Sequence, residues 1–489
     1  MFGLQYRTLL QRDILEAIDS FEHPVSVEEL KETLGYSNSV TILKTLKELS
    51  SLIDETYTDS HYSMQLLNPR KGYYQLVRHS TNLQSIYQAI FSQDFAYFLI
   101  NSLIEKRSLS SIEICLELNI SESTLQRKVR LINQEIKDYG VYISCSEKVQ
   151  FKSDELKVRL FSYVFLWSTN RQFSNVSFRY NLSNYLYISK EILKSIGAVY
   201  DPLKIEILSF WVFIYSNAIS RKQEIHLSEE QLSILNDFEF QKKPDVIVNW
   251  PDIEWKMLLI TMFNSDIYDF NLPIKSECHS LVLSDVEAHS TAFLNCAVDN
   301  FSGLNAEDEK SLWERFIKYS LSSFFFDYIS ETDSDTHHIV NLDDFKLAFP
   351  HYWNRFDKSW TSFIASDSDM ERYSSMMYPA LIICLSIFPL ERFIQSSTIM
   401  TLFVTTDISI TFSNYLKQVI RNTYKDYYKI EFTKDISQAQ LIISTLPISR
   451  EVLSINQRLL VISPGLKKND LLMLEELLKE IDNQYSIER

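Results

Sequence analysis

Apolar positions recur every three to four residues through most of the chain up to Pro389, the spacing of amphipathic helices, and give way to short apolar runs beyond it. Two stretches near the N-terminus join this spacing to helix-start signals. In the stronger one, Ser110 and Glu113 have the spacing of a capping box, and Asn119 ends the helix they start. Ser121 caps a second helix whose Leu125, Val129, Ile132 and Ile136 fall on one face. The other face carries Ser123, Thr124, Gln126, Arg127, Lys128, Arg130 and Asn133, groups that bond base edges and phosphates. A short helix, a tight turn and a helix with a polar, cationic outer face fit a DNA major groove.

The earlier stretch has the same plan. Ser26 and Glu29 form a capping box, Val27, Leu30 and Leu34 give the apolar stripe, and Gly35 supplies the turn. Ser37 is expected to cap the next helix, with Val40, Leu43 and Leu46 inward and Asn38, Thr41, Lys44 and Lys47 outward. Tyr62 to Val77 then reads as a β-hairpin turning at Asn68-Pro69-Arg70-Lys71-Gly72, a wing with Arg70 and Lys71 at its tip. Val141 to Phe151 reads as a second, shorter hairpin with Lys148 near its tip. Paired short helices occur in most helical cores, so one pair alone would say little about DNA. Two pairs, each followed by a hairpin, carry the reading.

From Leu156 to Pro389 the pattern stays helical. Leu156, Leu160, Val164 and Trp167 share a face, and Pro202 opens a helix through Ile205, Leu208, Trp211, Ile214 and Tyr215. Ser284 and Glu287 predict a capping box for a helix that stops at Gly303, and another helix is expected from Ala306 to Tyr328. Asp369 to Phe388 reads as a final helical block, and Leu272-Pro273 divides the region in two. The many aromatics, among them Phe324, Phe325, Phe326, Trp353 and Trp360, read as core. Beyond, Ile399–Thr405, Tyr428–Phe432, Leu441–Ser444 and Leu459–Ile462 read as strands. A helix from Ile408 to Tyr424 and one from Leu471 to Ile481, capped by Asn469, complete a small α/β domain with a mostly parallel sheet.

Composition narrows the chemistry. With 7 glycines in 489 residues, no Gly-rich phosphate loop or dinucleotide fingerprint is present. A formal net charge of −16 disfavours nonspecific coating of nucleic acid or membrane, and acidic residues outnumber basic ones even within residues 1–155. DNA binding therefore has to be geometric and confined to a small face, with Arg127, Lys128, Arg130 and Lys137 clustered on or beside one helix. The cysteines Cys115, Cys145, Cys278, Cys296 and Cys384 are odd in number, widely spread and without a C-x-x-C pair. Together with no signal peptide and no run of eighteen apolar residues, this points to a soluble cytoplasmic protein without membrane association. No cofactor or catalytic constellation is expected. His337-His338 is too adjacent to make a metal pair.

The run Ile120-Ser-Glu-Ser-Thr-Leu-Gln-Arg-Lys-Val-Arg-Leu-Ile-Asn-Gln134, with the order of the domains, resembles the Mga family of virulence-gene regulators, which includes the AtxA-like proteins. The resemblance implies a mainly α multidomain fold. Two N-terminal winged helices (1–85 and 86–155) would precede two helical bundles like phosphotransferase regulation domains (156–272 and 273–392). A C-terminal α/β domain like a sugar phosphotransferase IIB component (393–489) would close the chain. It also implies a transcription factor on double-stranded promoter DNA, acting as a homodimer or higher oligomer, with the phosphocarrier protein of the sugar phosphotransferase system as a possible partner. Phosphorylation would fall on histidines of the regulation domains, for which the candidates here are His226, His279 and His289. Where a regulation-domain histidine is expected, seven residues before Arg221, this chain has Ile214. Where a IIB component has its Cys or His, this chain has Thr405-Thr-Asp-Ile-Ser409, so the domain is expected to assemble or sense rather than transfer phosphate. Two other readings stay open: an interaction scaffold of the sugar-uptake system whose helix-turn-helix units are structural, and an RNA-binding antiterminator sharing the regulation domains.

Overall fold

The computed structural model describes residues 1–489 apart from 22, 36–37, 58–62, 80, 177–181, 199–200, 266, 269, 276–279, 302–304, 327–341, 389–398, 408–409, 426, 447, 449–452, 455–456, 463–466 and 488–489. The chain divides into two compact units, Met1–Glu287 with Ile317–His338, and Ala288–Phe316 with Ile339–Arg489.

The first unit opens with helix α1 (Tyr6–Ser20), a two-residue strand β1 (Val25–Ser26), α2 (Val27–Leu34) and α3 (Ser39–Thr56). Strands β2 (Ser63–Arg70) and β3 (Tyr73–His79) follow, forming a sheet in the order β1-β3-β2. Next come α4 (Gln84–Phe91), α5 (Phe95–Lys106), β4 (Ser108–Ser110), α6 (Ser111–Glu117) and α7 (Glu122–Ile136). Strands β5 (Ile143–Cys145) and β6 (Lys148–Phe151) add to β4 in the order β4-β6-β5. Each half is thus a helix pair backed by a further helix and closed by a three-stranded antiparallel sheet, the form of a winged helix.

The helical segment of this unit holds α8 (Glu155–Asn170), α9 (Leu182–Ser195), α10 (Pro202–Ser220), α11 (Glu229–Asp237) and α12 (Asp252–Asn264). Helix α10 is long and apolar enough to cross a membrane. Its Leu208, Phe210, Val212, Phe213, Ile214 and Tyr215 are all buried, and Trp211 stacks on Tyr163 of α8 at 4.3 Å, so its hydrophobicity is spent on packing.

One continuous core joins the two winged helices to this segment, running from Phe2 to Ile214. Phe2 packs its ring against Tyr139, Phe161 and Phe165. Asp94 caps α5 and also accepts hydrogen bonds from the Gln5 amide and the Thr8 hydroxyl of the first winged helix, at 2.8 and 2.6 Å. Behind α5 lies a buried charge network. Arg107 pairs with Glu155 at 2.8 Å, Glu155 pairs with Arg159, and Arg159 pairs with Glu254. Asn217 of α10 donates to the carbonyls of Ile104 and Glu105, satisfying the end of α5.

Helix α13 (Leu281–Asn300) starts a turn earlier than the Ser284–Glu287 box would place it. Asp237 accepts from the Ser280 amide at 3.0 Å, and the Ser280 hydroxyl accepts from the Leu283 amide, so Ser280 caps the helix and Ser284 lies inside it. Gly303 lies outside the described residues. Helix α14 runs from Ala306 to Phe326.

The second unit adds α15 (Leu342–Ala348), α16 (Pro350–Ile364) and α17 (Met377–Ile387). The block expected as one helix from Asp369 begins instead as a 3-10 stretch, Ser368–Met376, before α17. Its core is aromatic: Phe293 stacks on Phe316 at 4.3 Å and packs edge-on against Trp360 and Phe363. Four parallel strands follow, β7 (Ile399–Thr405), β8 (Lys429–Phe432), β9 (Leu441–Ser444) and β10 (Arg458–Val461), in the order β10-β9-β7-β8. Helices α18 (Ile410–Tyr424) and α19 (Lys468–Ile487) pack on them through Leu416, Ile420, Leu474 and Leu478. The expected cap, Asn469, lies within α19. The Asp470 carboxylate accepts from the Lys467 amide at 2.8 Å.

Candidate nucleic-acid interface

Helices α6 and α7 form the second helix-turn-helix. Ser110 caps α6 by accepting from the Glu113 amide, but only this half of the capping box forms. Ser110 is also the last residue of β4, paired with Lys148. The turn runs through Asn119 at φ +50°, a left-handed backbone that asparagine tolerates. Ser121 then caps α7 by accepting from the Thr124 amide at 3.2 Å. Leu125, Val129, Ile132 and Ile136 are buried, as their spacing implies.

The outer face of α7 is narrower than the sequence suggests. Ser123, Gln126, Arg127 and Arg130 are exposed and fall in one stripe at i, i+3, i+4 and i+7. Thr124 is half-buried, its hydroxyl 2.9 Å from that of Ser121. Lys128 is half-buried with its ammonium 4.6 Å from the centre of the Phe95 ring on α5. Asn133 is not a base-reading group. Its amide donates to the Ile143 carbonyl and accepts from the Ile143 amide, both at 2.8 Å, and so fixes the wing to the recognition helix. Lys148 stands exposed near the tip of the β5–β6 hairpin. On α5, Tyr97 donates to Asn170 of α8 at 3.0 Å, and burial pushes its phenol up to about 12, so it remains a neutral donor.

In the first winged helix the capping box is complete: Ser26 accepts from the Glu29 amide, and the Glu29 carboxylate accepts from the Ser26 amide at 2.7 Å. The Ser26 bonds hold the Glu29 carboxyl below its ordinary value. Gly35 takes φ +66°, closing α2. Ser37 lies outside the described residues. The cap of α3 is Asn38, whose side-chain oxygen accepts from the Val40 and Thr41 amides, which removes that oxygen from base reading.

Helix α3 is also turned relative to the expected phase. Its buried face is Ile42, Leu46, Leu49 and Ile53, while Val40 and Leu43 are 74% and 43% exposed. The 42-46-49-53 spacing is a longer helical stripe than 40-43-46, and that is the signal that would have found it. Thr41, Lys44 and Lys47 are exposed as expected.

The wing turns at Lys71-Gly72 alone, with Gly72 at φ +81° and Arg70 paired to Tyr73 across the strands. Asn68 and Pro69 belong to β2 instead of the turn. They sit where the register shifts between Leu67 and Arg70, which suits a proline that has no amide to give. Lys71 is exposed at the tip, and the Arg70 guanidinium lies 3.4 Å over the Tyr73 ring.

Residues 79–166 match the Mga helix-turn-helix domain. The matched span covers α4 to most of α8, and so includes the complete second winged helix and the scaffold helix beneath it. The match supports an Mga-like DNA-binding regulator of transcription. No curated protein matches the chain.

The histidine candidates do not converge. His226 is exposed between α10 and α11, lining a cavity of about 280 Å³ with Asp154, Glu155 and Lys222. His289, on α13, shares a 2.9 Å hydrogen bond with the Tyr373 hydroxyl. His279, like His337-His338, lies outside the described residues. Ile214 is buried in α10. After β7, the Thr445 hydroxyl donates to the Asp407 carboxylate at 2.8 Å and accepts from the Asp407 amide at 3.2 Å. Ile408 and Ser409 lie outside the described residues.

Proposed function

We propose that the chain is a transcriptional activator of virulence, surface or metabolic genes, acting in the cytoplasm on double-stranded promoter DNA and responding to the state of sugar uptake. The observation that carries the DNA-binding part is the α7 stripe. Ser123, Gln126, Arg127 and Arg130 stand exposed in one row on the second helix of a helix-turn-helix, with a wing beside it, inside the segment that matches the Mga domain. Arginine and glutamine are the side chains that bond guanine and adenine edges in pairs, and arginine also meets phosphate. In an acidic chain, a small exposed cationic row placed by a rigid core is where such contact is feasible.

The remaining parts rest on the resemblance of domain order. The α/β domain, with no Cys or His after its first strand, serves assembly of a homodimer or larger oligomer. The helical segments take the place of phosphotransferase regulation domains, and His226, exposed beside Lys222, is their most accessible described histidine for a phosphocarrier protein.

The test is a titration of the full chain against a promoter duplex and a scrambled duplex across salt concentration. Binding whose log affinity falls linearly with log salt, tighter on the promoter, supports the reading. Binding to neither duplex overturns it.

A further inference from the structure

We propose that the first winged helix reads thymine methyl groups through Val40 and Leu43, so that this half of the protein selects A·T-bearing sites by apolar contact. The inference rests on the DNA-binding reading above and assigns a ligand to a face that charge alone does not reveal.

The argument begins with where the two side chains are. Val40 is the second residue of α3, the second helix of its helix-turn-helix, and the first turn of that helix is the part that reaches base edges in this motif. Val40 and Leu43 are 74% and 43% exposed, although Ile42, Leu46, Leu49 and Ile53 of the same helix are almost completely buried. Scattered apolar residues on a surface need no explanation. Here the two are neighbours at i and i+3, and Lys44 and Lys47 continue the same row at i+4 and i+7. The row therefore offers an apolar head and a cationic tail.

Its surroundings favour DNA over a protein partner. Lys44 and Lys47 are exposed, and the adjoining wing carries exposed Lys71 at its tip. Glu28, beside the start of the helix, is engaged by the Ser39 hydroxyl at 3.2 Å and by Lys31 at 3.4 Å, and Glu48, next to Lys47 on the helix, pairs with Arg7 at 2.8 Å. A duplex supplies both features the row asks for: phosphates for the lysines, and one apolar group on its major-groove floor, the thymine C5 methyl. Helix α7 differs in its first turns, where Ser123, Gln126, Arg127 and Arg130 are polar and suit purine edges, the exposed Leu131 coming only two turns after Ser123. The two helices would read different bases in one site.

Replacing thymine by uracil deletes only the methyl group. The full chain is titrated by fluorescence anisotropy against an A·T-rich promoter duplex and the same duplex with uracil for thymine. Both are repeated with the Val40→Ala, Leu43→Ala double variant, whose fold is checked by circular dichroism. Each methyl removed from contact should weaken wild-type binding about three- to fivefold. The variant should bind both duplexes alike, with the salt slope of the wild type. By contrast, Lys44→Ala with Lys47→Ala should lower that slope by about two and keep the thymine preference. Equal wild-type affinity for the two duplexes overturns the proposal while leaving DNA binding standing. A variant that still prefers thymine overturns it too, since the methyl is then read elsewhere. Failure of the wild type to bind either duplex overturns the DNA-binding reading and this proposal with it.

Discussion

At the scale of single residues, side chains of similar chemistry on one helix have separate tasks. Arg127 and Arg130 are exposed, lie off the apolar face of α7 and are available to phosphate or guanine. Replacing both by alanine should weaken DNA binding by a few kcal/mol and lower the salt slope by about two, with folding intact. An unchanged slope would move the contact elsewhere. Asn133→Ala should behave in the opposite way. It strands both the amide and the carbonyl of Ile143, at a cost of about 1–3 kcal/mol, and should lower the melting temperature without changing the salt slope. Sequence reading could not separate these roles. Asn133 and Arg130 sit on the same polar side of the helical wheel, and only the return of the β5 strand shows which one has a backbone partner waiting. Lys128 is the same lesson in charge, since the ring it covers is Phe95, far off in sequence.

At the scale of elements, the local signals were the legible ones. Ser26 with Glu29, Gly35, Ser121 and Pro202 mark helix ends that the structure keeps, because a cap depends on residues within one turn of it. The failures have distant causes. Ser280 caps α13 because Asp237 reaches its amide, which leaves Ser284 inside the helix. Helix α3 was misphased because Val40 and Leu43 are apolar yet unburied, a pattern that periodicity reads as core.

The buried charges joining α8 and α12 were also hidden, since nothing in the sequence marks Arg159 and Glu254 as partners. Their side chains are 1% and 3% exposed, so Glu254→Gln leaves a buried arginine short of a counter-charge. The expected loss is about 3 kcal/mol, seen as an earlier unfolding transition of the first unit. An unchanged transition would show that Glu155 alone neutralises Arg159. Ranking the two recognition helices calls for point changes, because removing the first winged helix would also remove Phe2 and the Asp94 partners from the core of the second. The Arg127, Arg130 double variant should lose more affinity than the Lys44, Lys47 one, since lysine lacks the paired geometry of guanidinium.

At the scale of the whole molecule, the order of helical and α/β parts was legible from period and run length, and the parallel sheet follows from strands separated by a helix or a long connection. The extent of the units was not. A core running from Phe2 to Ile214 crosses residue 155, because α8 packs its apolar surface on both sides, and no composition shift records this. On the proposed assembly role of the α/β domain, truncation at about Gln395 should leave a soluble protein of lower oligomeric order by sedimentation, with weaker DNA binding as linked half-site contacts are lost. If the shortened protein sediments as the full-length oligomer, assembly resides in the helical parts.

The aromatic contact of Phe2 with Tyr139, Phe161 and Phe165 also sets an order of events during synthesis. The first residues leave the ribosome long before the rings they pack against have been made. The helices and sheet of the first winged helix can form as the chain emerges, but Phe2 cannot take its final place until α8 exists. The N-terminal segment has to wait, partly unpacked, until α8 arrives, and this long-range closure is slow compared with folding from local contacts. A nascent chain that stops short of α8 would leave Phe2 without the Phe161 and Phe165 rings, so the shared core of the first unit is complete only once α8 has been made.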